Sequence, residues 1–135
     1  MKILLDTHIL VWMHTDDTRL TSKVLEYVMS PQNTVYYSSV SIWESEIKHN
    51  THPEDFPFSG RDLDLLSRKA NLDCLLMKPE HAFELGSLIY SDKAPQKHKD
   101  PFDRLLICQA KVENMLFLTH DCLIPYYNEA CIVFV

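Results

Sequence analysis

The hydrophobic positions of this chain come in short bursts whose spacing switches between the two-residue period of a strand and the 3.6-residue period of a helix. Lys2–Leu5 reads as a buried strand that stops at Asp6-Thr7-His8, and Ile9–Met13 continues as one or two helical turns. Thr21 caps a helix over Ser22–Met29, with Val24, Leu25, Val28 and Met29 on one face, and Pro31-Gln32-Asn33 ends it. The β-branched and aromatic run Thr34–Tyr37 predicts a second strand, and Val40, Trp43 and Ile47 recur at helical spacing across Val40–Lys48. The polar, proline-containing segment Asn50–Gly60 is a loop. A helix over Arg61–Asn71, a strand over Asp73–Met77 and a helix from Pro79 to about Tyr90 follow, and then a charged loop, Ser91–Lys99. Asp100-Pro101-Phe102-Asp103 has the form of a helix start, and that helix is expected to run to about Asn114. Met115–Leu118 and Cys131–Val135 complete the pattern as a fourth and a short fifth strand.

Strands that alternate with helices predict a parallel sheet covered on both faces. At 135 residues the chain has the size of one domain, residues 1–135, and the 50–60 segment leaves too little on either side to separate two. A content of 46% hydrophobic and 24% charged residues with two glycines excludes a disordered or fibrous chain. The longest apolar runs, Ile3–Leu5, Ile9–Met13 and Ile132–Val135, fall far short of the ~20 residues of a membrane span, and the first meets Asp6 too early for a secretory signal. A cytoplasmic location is therefore expected. Cys74, Cys108, Cys122 and Cys131 form no CxxC pair and sit in or beside apolar runs, so buried, reduced thiols are expected. The only short histidine pair, His49 and His52, has no partner at zinc spacing.

Four acids stand out once the elements are drawn. Asp6 directly follows the first strand, Glu44 lies in the helix after the second, and Asp121 directly follows the fourth. In an open α/β sheet ligands bind outside the carboxyl ends of the strands, so these three are placed on one rim. Asp103, in the first turn of the helix before the fourth strand, does not follow from that rule. Carboxylates gathered within a few ångströms raise one another's pKa, and divalent cations relieve the repulsion. Oxygen donors without histidine or cysteine point to Mg²⁺ or Mn²⁺, one or two ions, and away from zinc. Each acid also has a plainer reading: Asp6 as a helix cap, Glu44 as the partner of Lys48 in an i,i+4 pair, Asp103 as a dipole-favoured acid and Asp121 as a turn former. Asp100, before Pro101, suits an N-cap.

The segments Leu4-Leu5-Asp6-Thr7-His8, Ser39–Glu44 through Lys48, Asp100-Pro101-Phe102-Asp103-Arg104-Leu105-Leu106-Ile107 and Leu118-Thr119-His120-Asp121 resemble, in order and spacing, the successive signatures of the PIN-domain family. Closest in style are the short VapC-like ribonuclease toxins of type II toxin–antitoxin modules. The resemblance implies a three-layer Rossmann-like fold with a central, mostly parallel sheet of about five strands. It also implies Mg²⁺- or Mn²⁺-dependent RNA cleavage that leaves a 5′-phosphate and a 3′-hydroxyl. Carried onto this chain, Asp6 and Asp103 are the foremost metal ligands, Glu44 completes the site, and Asp121 binds directly or through water. Thr7 and Thr119 match hydroxyl positions near the acids and orient water or phosphate, or cap the adjacent turns. An antitoxin whose tail covers the acidic groove and a homodimer formed through apolar helix faces are implied as well, with Trp12, Trp43 and Tyr90 as candidates for those faces or for the core.

The net charge of −6 runs against a nucleic-acid partner, which ordinarily meets a basic footprint. Bound divalent ions would supply positive charge locally, and Lys48, Lys93, Lys97, Lys99 and Arg104 form a basic border or an ordinary solvated loop. A PIN-fold module that binds RNA or protein without turnover is the competing reading. A haloacid-dehalogenase-like phosphatase lacks its DxD here, and a receiver domain lacks its adjacent acid pair.

Overall fold

The computed structural model describes residues 1–135. Five strands, β1 (Lys2–Leu5), β2 (Thr34–Ser38), β3 (Asp73–Leu75), β4 (Leu116–Thr119) and β5 (Ile132–Phe134), form one sheet in the order β3-β2-β1-β4-β5. Every pairing is parallel. Six helices surround it: α1 (Thr7–Thr15), α2 (Ser22–Met29), α3 (Ser39–Lys48), α4 (Gly60–Lys69), α5 (Pro79–Phe83) and α6 (Pro101–Val112). The expected α/β architecture is thus realised, with the sheet wholly rather than mostly parallel.

The period-2 alternation of the strands sorts side chains into two cores. Ile3 and Leu5 of β1, Val35 and Tyr37 of β2 and Leu118 of β4 face a layer built by Ile9–Trp12 of α1, Val24 of α2 and Leu63 of α4. Leu4 and Phe117 face the opposite layer, with Val40 of α3 and Leu106, Ile107 and Ala110 of α6. Both faces are covered, which is why these strands read as nearly continuous apolar runs. Helix starts match their predicted caps. Thr21 accepts from the Val24 N–H at 3.3 Å, and Asp100 accepts from Phe102 N at 2.9 Å and Asp103 N at 3.0 Å.

Two expectations need correction, and one stretch to which the sequence assigns no element is ordered. The helix predicted from Pro79 to about Tyr90 is α5 followed by a 3₁₀ turn, Glu84–Ser87, and irregular chain. Its apolar residues Phe83, Leu85 and Ile89 are exposed, so no buried face holds further turns, and the Ser87 hydroxyl bonds the Glu84 carbonyl at 2.9 Å in competition with the helix ladder. The stretch Ile124–Tyr127, which lacks helical periodicity, forms a second 3₁₀ turn. The cysteines are all free, but only Cys108 is buried; Cys122 lies exposed in the turn after Asp121, and Cys74 and Cys131 are half-buried.

Strand order reverses at β1: the chain runs outward through β2 and β3 on one side, then returns to place β4 on the other. The crevice at the carboxyl ends of β1 and β4 is therefore the position where this topology holds a ligand.

Candidate active site

All four acids singled out from the sequence face this crevice. Asp6 stands at the N-cap position of α1, yet its carboxylate makes no capping bond. It is buried at 3% exposure, and its Oδ2 accepts a hydrogen bond of 2.6 Å from the Thr119 hydroxyl at the end of β4. Its other oxygen, Oδ1, is buried without a partner. Helix-capping thus leaves the Asp6 side chain unexplained.

Glu44 projects from α3 and is 2% exposed. The anticipated i,i+4 pair is present, with Lys48 Nζ 2.6 Å from Oε2, but it is an internal contact rather than a surface one, and Oε1 is buried without a partner. Asp103 reaches the crevice because α6 begins beside the loop that precedes it, where Asp100 caps the helix and leaves the Asp103 carboxylate free to turn inward. Asp121 is the most open of the four. Its Oδ1 accepts from Leu123 N at 2.8 Å, which fulfils the turn-forming role and leaves Oδ2 for other partners.

The acids lie within one another's fields. Burial pushes the Asp6 carboxyl well above the ordinary carboxylate range, the charge of Asp103 pushes it further, and Glu44 and Asp121 add to the effect against the opposing Thr119 hydrogen bond. Glu44 is raised by burial, with the Lys48 ammonium opposing, and Asp103 by burial, with its His98 hydrogen bond opposing. A buried carboxylate oxygen without a hydrogen-bond partner is costly to keep. Two of them in one acidic crevice suit a hard divalent cation, which takes oxygen ligands and relieves the repulsion. The donor set fits a bound metal.

Thr7 is buried at the start of α1, where its hydroxyl meets the Ser41 hydroxyl at 2.8 Å. Thr119 bridges two acids, donating to Asp6 and accepting from the Asp121 N–H at 3.1 Å. Lys48 sits between the rings of Phe56 and Phe102, each 5.2 Å away, and 3.9 Å from Asp100 as well as on Glu44. Lys93, Lys97 and Lys99 are exposed on the 91–99 loop. Arg104 lines a cavity with Met77, Leu85 and Pro101, whose walls include none of the four acids.

The sequence reading missed His98. Its ring, 5% exposed, places Nε2 3.1 Å from Asp103 Oδ2 and 3.9 Å from Asp121 Oδ2, while Nδ1 lies 2.8 Å from the Tyr127 hydroxyl. The premise that the acids gather without a histidine is thereby corrected. Only its position two residues before Asp100 hinted at this, and a lone histidine among lysines carries no periodic signal.

Residues 3–123 match the PIN domain family. The chain belongs to the PIN domain family. Solved structures agree with this PIN assignment. VapBC2 from Rickettsia felis, bound to a DNA fragment from its promoter, has a chain that superposes with a TM-score of 0.64 at 15% identity, covering 100% of this chain and 98% of that one. A toxin-antitoxin complex from Klebsiella pneumoniae gives 0.60 at 13% identity, covering 97% and 95%. VapBC-1 from nontypeable Haemophilus influenzae gives 0.59 at 16%, covering 90% and 87%. At such identities the likeness is one of fold. No curated protein matches the sequence. PIN domains in general use divalent metals, in keeping with the donor set described above.

Proposed function

We propose that this chain, acting as one domain over residues 1–135, is a Mg²⁺- or Mn²⁺-dependent endoribonuclease and the toxin of a type II toxin–antitoxin pair. The observation that carries the reading is the pair of buried, unpartnered oxygens, Asp6 Oδ1 and Glu44 Oε1, in a crevice shared with Asp103 and Asp121. A carboxylate oxygen kept dry and without a hydrogen-bond partner destabilises the fold unless a bound group uses it.

In this reading Asp6, Glu44, Asp103 and Asp121 hold the metal. Bound there, one or two divalent ions supply the positive charge that activates water and stabilises the departing 3′-oxygen of an RNA phosphodiester. The protein's own contribution is positional. Thr119 fixes the Asp6 carboxylate through Oδ2 and leaves Oδ1, buried and unpartnered, as the oxygen that would hold an ion. Lys48 opposes the burial that raises the Glu44 carboxyl and, by occupying Oε2, leaves Oε1 for the same purpose. Ser41 fixes the Thr7 hydroxyl beside the acids, where it orients water or phosphate. Lys97 and Lys99, exposed next to Asp103 in the chain, meet flanking phosphates; this local basic edge and the ion's own charge offset the overall −6.

The toxin assignment draws on the three toxin–antitoxin structures above. The acidic crevice suits an antitoxin tail that inserts a basic side chain. A groove of about 440 Å³ between α3 and α6, lined by Val40, the 62%-exposed Trp43, Met77, Pro101, Phe102 and Leu105, suits a second copy of this chain, whereas Trp12 is core.

Purified, partner-free protein incubated with structured RNA and Mg²⁺ tests the reading. The expected result is cleavage that stops with a chelator and leaves 5′-phosphate ends. Chelator-insensitive cleavage would refute it, and metal binding without any cleavage would favour a non-catalytic RNA- or protein-binding module.

A further inference from the structure

The crevice is not uniform in its donors. On the β1 and α3 side Asp6 and Glu44 offer only oxygens. On the α6 and β4 side His98 Nε2, an Asp103 oxygen and an Asp121 oxygen lie within 4.8 Å of one another. Ligands to one ion at 2.0–2.6 Å are at most about 4–5 Å apart, so this spread is that of a single coordination sphere.

His98 is also held as metal-ligating histidines are held, with the nitrogen away from the metal engaged by a fixed partner. The Tyr127 hydroxyl lies 2.8 Å from Nδ1 and 3.4 Å from the His98 carbonyl oxygen. Nδ1 is thereby engaged by a fixed partner, and Nε2 points toward Asp103 and Asp121. Tyr90, with ring centroids 4.8 Å from Tyr127 and 6.0 Å from His98, packs both rings in place. With the imidazole 5% exposed, its rotamer is determined before any ligand arrives.

We infer that His98, Asp103 and Asp121 form a mixed nitrogen–oxygen position that prefers first-row transition ions over Mg²⁺, with His98 Nε2 as a direct ligand and Tyr127 as its positioning residue. The chemical basis is that imidazole nitrogen is a poor donor to magnesium but a good one to transition divalent ions, whose affinity rises from Mn²⁺ to Co²⁺ and beyond. The Asp6 and Glu44 oxygens carry no such bias. This inference rests on the metal-dependent reading above, which it refines by assigning a donor outside the four acids.

The test uses the metals alone, with no RNA. In the intact protein loaded with Mn²⁺, pulsed electron-spin-echo spectroscopy should show modulation from a directly bound imidazole ¹⁴N. His98→Asn should abolish that signal and weaken Co²⁺ binding by roughly tenfold or more, while Mg²⁺ affinity changes by less than about threefold. Tyr127→Phe keeps the ring packing and removes the hydroxyl, and should weaken Co²⁺ binding by a smaller factor in the same direction. Mn²⁺ bound with no nitrogen modulation, or equal losses of Mg²⁺ and Co²⁺ in His98→Asn, would overturn the assignment and leave His98 as a structural ion pair. Failure of wild-type protein to bind any divalent ion would instead defeat the metal-dependent reading itself. Because the decisive spectrum is recorded on unaltered protein, a variant that misfolds does not blunt the test.

Discussion

Two charge clusters of this molecule differ in what surrounds their acids. Beside the amino-terminal half of the sheet, Lys111 joins Glu129 at 2.9 Å, Glu84 at 3.3 Å and the Ser87 hydroxyl at 2.8 Å. Both of those carboxylates keep contact with water, and they share Lys111 as their cation. At the carboxyl ends of β1 and β4, the four acids have direct ion-pair contacts with Lys48 and His98, the cavity beside Asp6 and Asp121 is lined also by His8, Arg19 and His120, and two of the acids are almost wholly buried. The first cluster satisfies itself as an exposed ion-pair network does. The second is left with excess negative charge in a dry place, an arrangement that folds only at a cost and that marks a site built for something bound.

The sharpest way to break this contrast is to remove a charge from the second cluster. Asp6→Asn and Asp103→Asn should each lower RNA cleavage by at least about a hundredfold, beyond the 10–100-fold typical of groups that only support a ligand. A gel assay at saturating Mg²⁺ reads this, and cleavage within tenfold of wild type would remove both residues from the ligand set.

Lys48→Met isolates the counter-charge. Breaking a buried ion pair costs about 3–5 kcal/mol, and because Lys48 keeps 26% of its side chain in water, a loss of about 1–3 kcal/mol is expected in metal-free protein. Urea denaturation with chelator measures it, and Mg²⁺ should recover part of the loss.

Acidity sharpens the comparison further. Asp6, Asp103 and Glu44 have folded-state pKa values above their unfolded ones, so between the two values the folded chain holds more protons. Metal-free stability should therefore fall as pH climbs from about 4 through the raised values. His98 acts in the same direction: its Asp103 hydrogen bond raises its folded pKa against burial, and the stability it adds below about 6.5 is lost as pH passes the folded value. Thermal melts in chelator should show the decline, and Asp6→Asn should flatten it and raise the neutral-pH melting temperature by a few degrees, where ~1 kcal/mol moves it by ~3–6 °C. A metal-free protein that melts higher at pH 8 than at pH 5 would contradict the account. The smallest effect belongs to the self-satisfied cluster, where Lys111→Met should leave the melting temperature within about 2 °C of wild type.

The sequence revealed much of this, and unevenly. Strand positions were legible because burial on both faces demands unbroken apolar runs such as Ile3–Leu5, and the start of α6 because Asp100-Pro101 is a strong local signal. The 3₁₀ turn at Glu84–Ser87 was illegible, since its apolar residues obey no burial that periodicity can report. Asp6, Glu44 and Asp121 followed from their places at strand ends, whereas Asp103 depended on family resemblance. His98 and Tyr127 are 29 residues apart and meet only through packing of the 91–99 loop against the 124–127 turn, a contact no local pattern encodes. Lys48 was anticipated as Glu44's neighbour, but the burial that makes their pair consequential required the fold.

The most direct test of the central claim is calorimetric titration of Mg²⁺ or Mn²⁺ into chelator-treated wild-type protein and into folded Asp6→Asn. The account predicts saturable binding to the wild type and a loss of at least about tenfold in affinity in the variant. Equal binding to both, or none to the wild type, would contradict it, because Asp6 Oδ1 would then be a buried charge that no ion uses.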